Sequence, residues 1–395
     1  MRYIWQHLNT ITGTYTGEIP LAHFLKNYFK LNTKLGSRDR KMLSEMAYSW
    51  YRCEKGILHG KKQGIWDGEI DFEDKVKVCL LLCGAQEKLT KPFLPENWTP
   101  YLQKSVDERI AFLKGQSIEF SIDDLFYSSV EFSDGISRKD WLYSMLTQPK
   151  LFIRIRKGKE KITELLEKNQ IDYEFVTDNC MALPNGAAID KILPPTDYVV
   201  QDASSQQTGN YFKPQQHEKW YDCCAGAGGK SLLLKDMEPS VQLTVSDKRE
   251  SILHNLKKRF AQYNHVTPIS YIMDVADKGQ LKKHIGNMKF DGIICDVPCS
   301  GSGTWARTPE QLYFPDTAAI DDFSSLQQRI AVNVSDYLKS SGRLIYITCS
   351  VLKEENENNV TRILNETDLQ LEEQKLINGI EQAADSMFIA VLKKP

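Results

Sequence analysis

Two short apolar stretches of the sequence each end at a cysteine that is followed by serine. The first reads DGIICDVPCSGSGT at 291–304, and the second reads GRLIYITCS at 342–350. Apolar runs of this length that stop at Pro, Gly or Ser are typical of buried parallel strands that end in a loop. Because neighbouring strands lie about 4.8 Å apart, we expect Cys299 and Cys349 to face one small pocket, with Asp296 beside them. A thiol in such a pocket can act as a nucleophile.

A glycine-rich loop, DCCAGAGGKS at 222–231, lies between a strand pattern and a helix pattern. Its backbone N–H groups and the helix N-terminus can face an anion or a carboxylate. A Walker A loop would need glycine at position 224, which is cysteine. A dinucleotide fingerprint that starts at Gly226 meets Ser231 where it needs its third glycine. Both motifs fail by one residue, which leaves S-adenosylmethionine as the third alternative.

An S-adenosylmethionine site needs a carboxylate after the second strand for the ribose hydroxyls. Asp247 ends the run VQLTVSD and is placed for the ribose, while Asp274 ends ISYIMD and is placed for the adenine amino group. Acidic residues at strand ends are common, but the ordered set of glycine loop, Asp247, Asp274 and Asp296 favours this cofactor. The candidate cofactor-binding residues are Cys224, Ala225, Gly226, Ala227, Gly228, Gly229, Lys230, Asp247, Asp274 and Asp296.

The elements that position these residues divide the chain of 395 residues into three predicted domains. Residues 1–140 show helical apolar spacing, as in SRDRKMLSEMAYSWYR, for which Ser37 is the predicted N-cap. The glycine-rich stretch at 60–74 is predicted to be a loop. Residues 141–205 combine short strands with one amphipathic helix in a small α/β module. From 206 to 395 strands and helices alternate, which predicts an α/β fold with a doubly wound, mostly parallel sheet.

The composition, 41% hydrophobic and 26% charged, is that of a globular protein. The start MRYIWQHLNT has no apolar signal segment, and the run VCLLLCGA at 78–85 is too short to span a bilayer. We therefore expect a cytoplasmic protein without membrane contact. The nine cysteines show no CxxC pair with metal spacing and no disulfide ladder, so we expect no metal site.

The formal net charge of −2 conceals two basic clusters. Residues 1–60 hold nine Lys and Arg against four acidic residues, and residues 150–161 hold six against Glu160 alone. Within the second cluster LFIRIR alternates apolar and basic residues, which predicts a half-exposed strand with Arg154 and Arg156 on one face. Either this strand contacts RNA phosphates or it belongs to a connecting subdomain with a charged surface.

Five motifs together resemble a known enzyme family. DCCAGAGGKS, VSDKRESILHNLKKR, MDVAD, CDVPCSGSGT and YITCSVLKEENENNV are similar, in this order, to the motifs of RsmB/NSUN-type RNA cytosine-5 methyltransferases. The resemblance covers about 145 to 395, and residues 1–140 resemble the NusB-like domain of the RsmB branch only loosely. Two departures are Gly226-Ala227, where the family usually has Ala-Pro, and the residues after Thr304, where the family usually has two arginines and this chain has Arg307 alone.

This resemblance implies a Rossmann-like class I methyltransferase domain that uses S-adenosylmethionine on RNA. It implies that Cys349 is the attacking thiol and that Cys299 assists release of the product. Asp296 would hold the cytosine ring while Lys230 positions Asp296. Ribosomal RNA is the expected substrate and a monomer the expected form. The alternatives are a transfer RNA methyltransferase of the same family and a non-catalytic RNA-binding or ribosome assembly factor, in which the two thiols would have no use.

Overall fold

The computed structural model of the chain describes residues 2–58, 61–62, 65–66, 70–126 and 129–395, so parts of the loop predicted at 60–74 lie outside the described residues. The α-helices are α1 (Arg2–Thr14), α2 (Leu21–Leu31), α3 (Ser37–Cys53), α4 (Phe72–Leu82), α5 (Glu87–Thr90), α6 (Val106–Gly115), α7 (Arg138–Met145), α8 (Lys159–Lys168), α9 (Ala203–Gln207), α10 (Gly229–Met237), α11 (Glu250–Gln262), α12 (Lys278–His284), α13 (Pro309–Tyr313), α14 (Ala319–Ser335) and α15 (Glu357–Glu366).

The strands are, in chain order, β1 (Ile57–Leu58), β2 (Lys61–Lys62), β3 (Ile65–Trp66), β4 (Glu119–Phe120), β5 (Leu151–Ile155), β6 (Glu174–Phe175), β7 (Cys180–Leu183), β8 (Tyr198–Val200), β9 (Lys219–Asp222), β10 (Gln242–Asp247), β11 (Ile269–Ile272), β12 (Phe290–Asp296), β13 (Leu338–Thr348), β14 (Gln370–Ile377) and β15 (Met387–Lys393). In the described part of the chain, no helix has the length and apolar character needed to cross a membrane.

The chain forms two compact units. Unit 1 comprises Met1–Ser129, Ser137–Gln148 and Trp305–Thr317, and unit 2 comprises Val130–Ile136, Pro149–Thr304 and Ala318–Pro395. The three-domain division stays a prediction. The two units have other boundaries, and unit 1 includes Trp305–Thr317, a segment that lies within the third predicted domain.

Unit 1 is mainly helical, and its helix α3 confirms the apolar spacing seen in the sequence. The apolar face of α3 is buried at Met42, Leu43, Met46, Ala47 and Trp50. The N-cap is Gly36 and not Ser37 as predicted, because the side chain of Asp39 accepts the Gly36 N–H at 3.1 Å and Ser37 already has helical geometry. The helix therefore begins at Ser37, one residue earlier than an N-cap at Ser37 would place its start.

Unit 2 contains a seven-stranded sheet in the order β11-β10-β9-β12-β13-β15-β14. The first five strands are parallel, while β15 runs antiparallel to both β13 and β14. Side chains such as Trp220, Ile294 and Ile345 are fully buried between this sheet and the helices. The predicted doubly wound, mostly parallel sheet is thus confirmed. Its parallel strands bring the carboxyl ends of β9, β10, β12 and β13 to one edge.

A second, antiparallel sheet in unit 2 has the order β6-β7-β5-β8. Its strand β5 was predicted to be half exposed, yet four of its five residues are buried. Arg154 is 8% exposed and pairs with Asp236 of α10 at 2.6 Å. Arg156 pairs with the same carboxylate at 2.7 Å, and His265 Nε2 lies 2.7 Å from it.

The prediction of a half-exposed strand is therefore wrong, and the alternative in which Arg154 and Arg156 contact RNA phosphates loses its support. Both guanidinium groups converge on the one carboxylate of Asp236, which is 12% exposed and supplies a single counter-charge between them. The alternation of apolar and basic residues indicated exposure because the strand itself gives no sign of a partner for its arginines. That partner, Asp236, lies 80 residues further along the chain than Arg156.

Candidate active site

A cavity of about 610 Å³ opens where the carboxyl ends of β9, β10 and β12 meet. This volume falls within the range of small-molecule sites, roughly 300–1,000 Å³. The position agrees with the rule that ligands bind outside the carboxyl ends of parallel strands. The predicted site residues that line it are Cys224, Ala225, Gly226, Ala227, Gly229, Lys230, Asp247, Asp274, Asp296, Cys299 and Cys349.

The glycine loop joins β9 to α10, and two of its glycines have left-handed backbone conformations. The φ angle is +53° at Gly226 and +80° at Gly228, where glycine is the residue with the least strain. A Cβ atom on Gly228 would also lie 2.8 Å from Cγ of Leu256 in α11. Gly228 was predicted to bind the cofactor, but it does not line the cavity. Its position lets α10 start close against α11.

Asp247, the last residue of β10, is tied to both the glycine loop and Arg249. The Gly226 N–H donates to Asp247 Oδ2 at 3.0 Å, while Arg249 donates from Nε at 2.9 Å and from Nη2 at 3.0 Å. Burial acts to raise the pKa of Asp247, but the hydrogen bonds from Arg249 and Gly226 outweigh it and hold the pKa below its usual value. The carboxylate is thus charged at the cavity wall. The sequence did not point to Arg249, whose only signal is its position two residues after this aspartate.

Asp274 lies just beyond β11 in the wall of the same cavity. Its Oδ1 accepts the N–H of Ala276 at 3.0 Å, and its own N–H donates to Gln280 Oε1 at 3.0 Å. These bonds fix the turn that follows the strand. The neighbouring Met273 and Val275 line the cavity too, so one carboxylate stands here between two apolar side chains.

Lys230 and Asp296 form an ion pair at the centre of the site, with Nζ and Oδ2 2.6 Å apart. The Lys230 side chain is only 8% exposed. Burial acts to lower the pKa of Lys230, but the nearby Asp296 and Cys349 outweigh it and raise the pKa above its usual value. Lys230 therefore remains a cation. The sequence predicted that Lys230 would position Asp296, and the structure brings the two side chains into contact.

Asp222, the last residue of β9, is a buried carboxyl that sequence analysis missed. Its Oδ2 accepts a hydrogen bond from Ser231 Oγ at 2.6 Å. Burial is the main cause that raises the pKa of Asp222 to about 7, against the hydrogen bond from Ser231. The sequence showed this residue only as the start of the glycine loop and gave no sign that its carboxyl is removed from water.

The two cysteines of the strand-end motifs meet as predicted. Strand β12 pairs with β13 in parallel, and the Cys349 N–H donates to Cys299 Sγ at 3.2 Å. Both residues are partly buried and line the cavity, whereas Cys295 is fully buried in the core. The pKa of Cys299 is raised well above its usual value by the hydrogen bond with the Cys349 side chain, by burial and by the charges of Cys349 and Glu355. The Cys299 thiol therefore keeps its proton more firmly than a free cysteine does.

Comparison with known proteins gives relatives for most of unit 2. Residues 210–392 match the family of 16S rRNA methyltransferases RsmB/F. The ribosomal RNA small subunit methyltransferase B of Proteus mirabilis is 28% identical over 260 residues, which cover 62% of this chain and 60% of that protein. Its namesake from Citrobacter koseri is 32% identical over 168 residues, which cover 42% of this chain and 38% of that protein. The chain thus matches less than two thirds of the length of these relatives.

Solved structures show the same fold. The crystal structure of PH0851 has a TM-score of 0.69 at 18% identity, and the match covers 99% of this chain and 97% of that one. The structure of NSun6 from Pyrococcus horikoshii with SFG has a TM-score of 0.56 at 15% identity, covering 65% of this chain and 94% of that one. At these identities the likeness concerns the fold, and it confirms the predicted class.

Proposed function

We propose that this chain, whose residues 210–392 match the RsmB/F family of methyltransferases, is a member of that family and transfers a methyl group from S-adenosylmethionine to carbon 5 of a cytosine in RNA. The observation that carries the proposal is the pair of thiols at adjacent strand ends, joined by the 3.2 Å contact from Cys349 N to Cys299 Sγ. The same cavity holds the Lys230–Asp296 ion pair. A protein that only bound RNA would have no need of two thiols beside a buried lysine.

The residues of the cavity fit the cofactor. Gly226 lines the cavity, and a Cβ atom on it would meet no protein atom within 4 Å. A side chain there would project into open space and obstruct a ligand, so glycine leaves the backbone accessible. The charged Asp247 can accept hydrogen bonds from ribose hydroxyls, and Met273, Leu326 and Ile330 supply an apolar wall for adenine. When bound, S-adenosylmethionine would supply an electrophilic methyl group on a sulfonium.

Carbon 5 of cytosine is a poor nucleophile, and a thiolate overcomes this by covalent catalysis. Addition of Cys349 to carbon 6 forms a sulfur–carbon bond and breaks the double bond between carbons 5 and 6, so the electron pair becomes available at carbon 5. Carbon 5 then takes the methyl group. Loss of the carbon 5 proton to a base restores the double bond and expels the Cys349 thiolate.

Asp296 and Lys230 are placed to hold the ring during these steps. Asp296 is 28% exposed, so one face of the carboxylate remains open to a base in the cavity while Lys230 holds Oδ2. A carboxylate there can accept a hydrogen bond from the cytosine amino group. The target base must leave its stack to reach these groups, at a cost of a few kcal/mol that unpaired RNA reduces.

Ribosomal RNA of the small subunit is the proposed substrate. The matched family is described as 16S rRNA methyltransferases, and the relatives from Proteus and Citrobacter are named as ribosomal RNA small subunit methyltransferases. Such a substrate implies a cytoplasmic protein. The test is methyl transfer from labelled S-adenosylmethionine to unmodified 16S rRNA, to total tRNA and to 16S rRNA with the Cys349→Ala protein. Labelled 5-methylcytosine in rRNA that depends on Cys349 is the expected result. Labelling of tRNA alone would reassign the substrate, and no labelling of either RNA would overturn the proposal.

A further inference from the structure

Unit 1 contains a cavity of its own, which the proposed methyl transfer does not use. Its volume is about 280 Å³, and it is lined by residues of α3 and α6, by residues that follow α4 and α7, and by the segment before α6. Polar side chains form most of the wall, among them Tyr48, Gln86, Gln103, Thr147 and Gln148. Because polar groups removed from water need hydrogen-bonding partners, this wall suits a ligand that is charged or rich in hydrogen-bonding atoms.

Arg52, near the end of α3, is the most deeply buried charged side chain of this wall. Its exposed fraction is 4%. Nη1 donates to the Met145 carbonyl at 2.8 Å, which is the only hydrogen bond of this guanidinium among the described residues. A guanidinium stays charged and carries five N–H donors. Arg52 therefore brings to the cavity a buried cation with four N–H groups that the described residues do not bind.

A second guanidinium, that of Arg109 in α6, lines the same cavity. It donates to the carbonyls of Leu82, Leu102 and Tyr101 at 2.9, 2.9 and 3.3 Å. Gly84 makes room for it, since a Cβ atom on Gly84 would lie 2.7 Å from Arg109 Nη2. These contacts are with neutral groups, so they fix the position of Arg109 and leave its charge without a carboxylate.

The charges of the cavity wall do not cancel. No ion pair among the described residues includes Arg52 or Arg109. In the described part of the chain, Glu45 is the one acidic residue that lines the cavity, and its Oε1 accepts the Gln86 N–H at 3.2 Å. Two cations against one carboxylate leave an excess of positive charge. Because a buried charge without a counter-charge is costly, this excess stabilises an anion that enters the cavity.

We propose that the cavity of unit 1 binds a phosphate group, which Arg52 contacts directly. The planar fork of an arginine matches the oxygens of a phosphate and can bind two of them at once. Thr147 and Gln148 line the cavity from its exposed side and offer neutral donors for the other oxygens. The phosphate can belong to the backbone of RNA or to a free phosphate compound, since the same chemistry recognises both. The proposal does not depend on the proposed function.

The test is titration calorimetry of the full chain with inorganic phosphate. The wild-type protein should bind it, and Arg52→Gln should bind it at least about tenfold more weakly, because charge-assisted hydrogen bonds are lost. Gln148→Glu should also weaken binding, since it adds a negative charge to the cavity at an exposed position. Arg38→Gln is the matched control. Arg38 lies on α3 as Arg52 does, but it is exposed and does not line the cavity, and its loss changes the net charge by the same amount.

Arg38→Gln should keep the wild-type affinity for phosphate. A wild-type protein that does not bind phosphate would overturn the proposal, and so would wild-type affinity in Gln148→Glu or in folded Arg52→Gln. If Arg52→Gln does not fold, Gln148→Glu decides the matter, because its position is exposed.

A second titration with an RNA oligonucleotide identifies the source of the phosphate. Weaker RNA binding by Gln148→Glu than by Arg38→Gln would assign the site to the RNA backbone. Equal RNA affinity of these two variants, together with the loss of phosphate binding in Gln148→Glu, would assign it to a free phosphate compound.

Discussion

Asp247 shows how one side chain can serve both the protein and a ligand. Its carboxylate is 5% exposed and accepts from the Gly226 N–H and from Arg249. The Arg249 side chain is 58% exposed, so it can move aside at little cost when hydroxyl groups approach. Asp247 then offers a ligand a carboxylate whose charge is already stabilised.

Asp247→Ala should weaken S-adenosylmethionine binding by about one to two powers of ten, because hydrogen bonds to a charged group contribute ~1.5–3 kcal/mol. Titration calorimetry on the full chain measures this directly. Asp277→Ala is the control, since Asp277 caps α12 through Gly279 N and Gln280 N and does not line the cavity. Unchanged affinity in a folded Asp247→Ala protein would place the ribose elsewhere.

The site residues that stand at strand ends could be predicted from the sequence, whereas those defined by distant partners could not. Asp247, Asp296, Cys299 and Cys349 follow apolar runs, so a local pattern was enough to place them at one edge of a sheet. Glu355 lies in the charged run KEENENN, which is indistinguishable from a solvated surface until the fold brings Ser300 and Gln327 against it.

At the scale of elements, the largely buried carboxylate of Asp236 joins the small sheet to helix α10, which packs against the large sheet. Asp236 lies near the end of α10 and pairs with Arg154 and Arg156, which belong to β5 and the residue after it. Burial acts to raise the pKa of Asp236, but the hydrogen bonds and charges of the two arginines outweigh it and hold the pKa below its usual value. The ionised carboxylate therefore supplies one negative charge between two largely buried cations.

Asp236→Ala should lower the free energy of unfolding by ~3–5 kcal/mol, because it leaves two arginines buried without a counter-charge. Urea denaturation followed by circular dichroism measures the loss. Glu174→Ala is the comparison, since Glu174 pairs with Lys150 at 2.7 Å but is 68% exposed, and its removal should change nothing measurable. Equal stability of the two variants would show that the Asp236 pairs do not hold the small sheet against α10.

The sequence predicted the order of strands and helices in the large sheet because buried parallel strands and amphipathic helices have distinct periods. It failed for β5, whose alternation of apolar and basic residues is ordinarily that of a half-exposed strand. Burial of Arg154 and Arg156 depends on a carboxylate in another element, and no period within one strand carries that information.

At the scale of the whole molecule, the chain leaves unit 2 after Thr304, five residues beyond Cys299, and returns to it at Ala318. The segment between them packs within unit 1, where the ring centroid of Trp305 lies 5.6 Å from that of Trp141 and that of Tyr313 lies 5.0 Å from that of Tyr51. Glu310 Oε1 also accepts the Leu21 N–H at 3.0 Å. Contacts over such distances in the sequence leave no local signal, so the segment was predicted as part of the third domain.

The proposed reaction requires a covalent bond between Cys349 and the RNA, with Cys299 needed to release it. In the decisive measurement, four proteins are incubated with 16S rRNA and radiolabelled S-adenosylmethionine: the wild type, both single alanine variants and the double variant. The products are then separated by denaturing gel electrophoresis. Cys299→Ala should give a labelled, nuclease-sensitive band that migrates slowly, because attack and methyl transfer proceed but elimination of the Cys349 thiolate does not. Cys349→Ala and the double variant should give neither band nor product. A band with Cys349→Ala would exchange the two roles, and full turnover in both single variants would contradict the covalent mechanism.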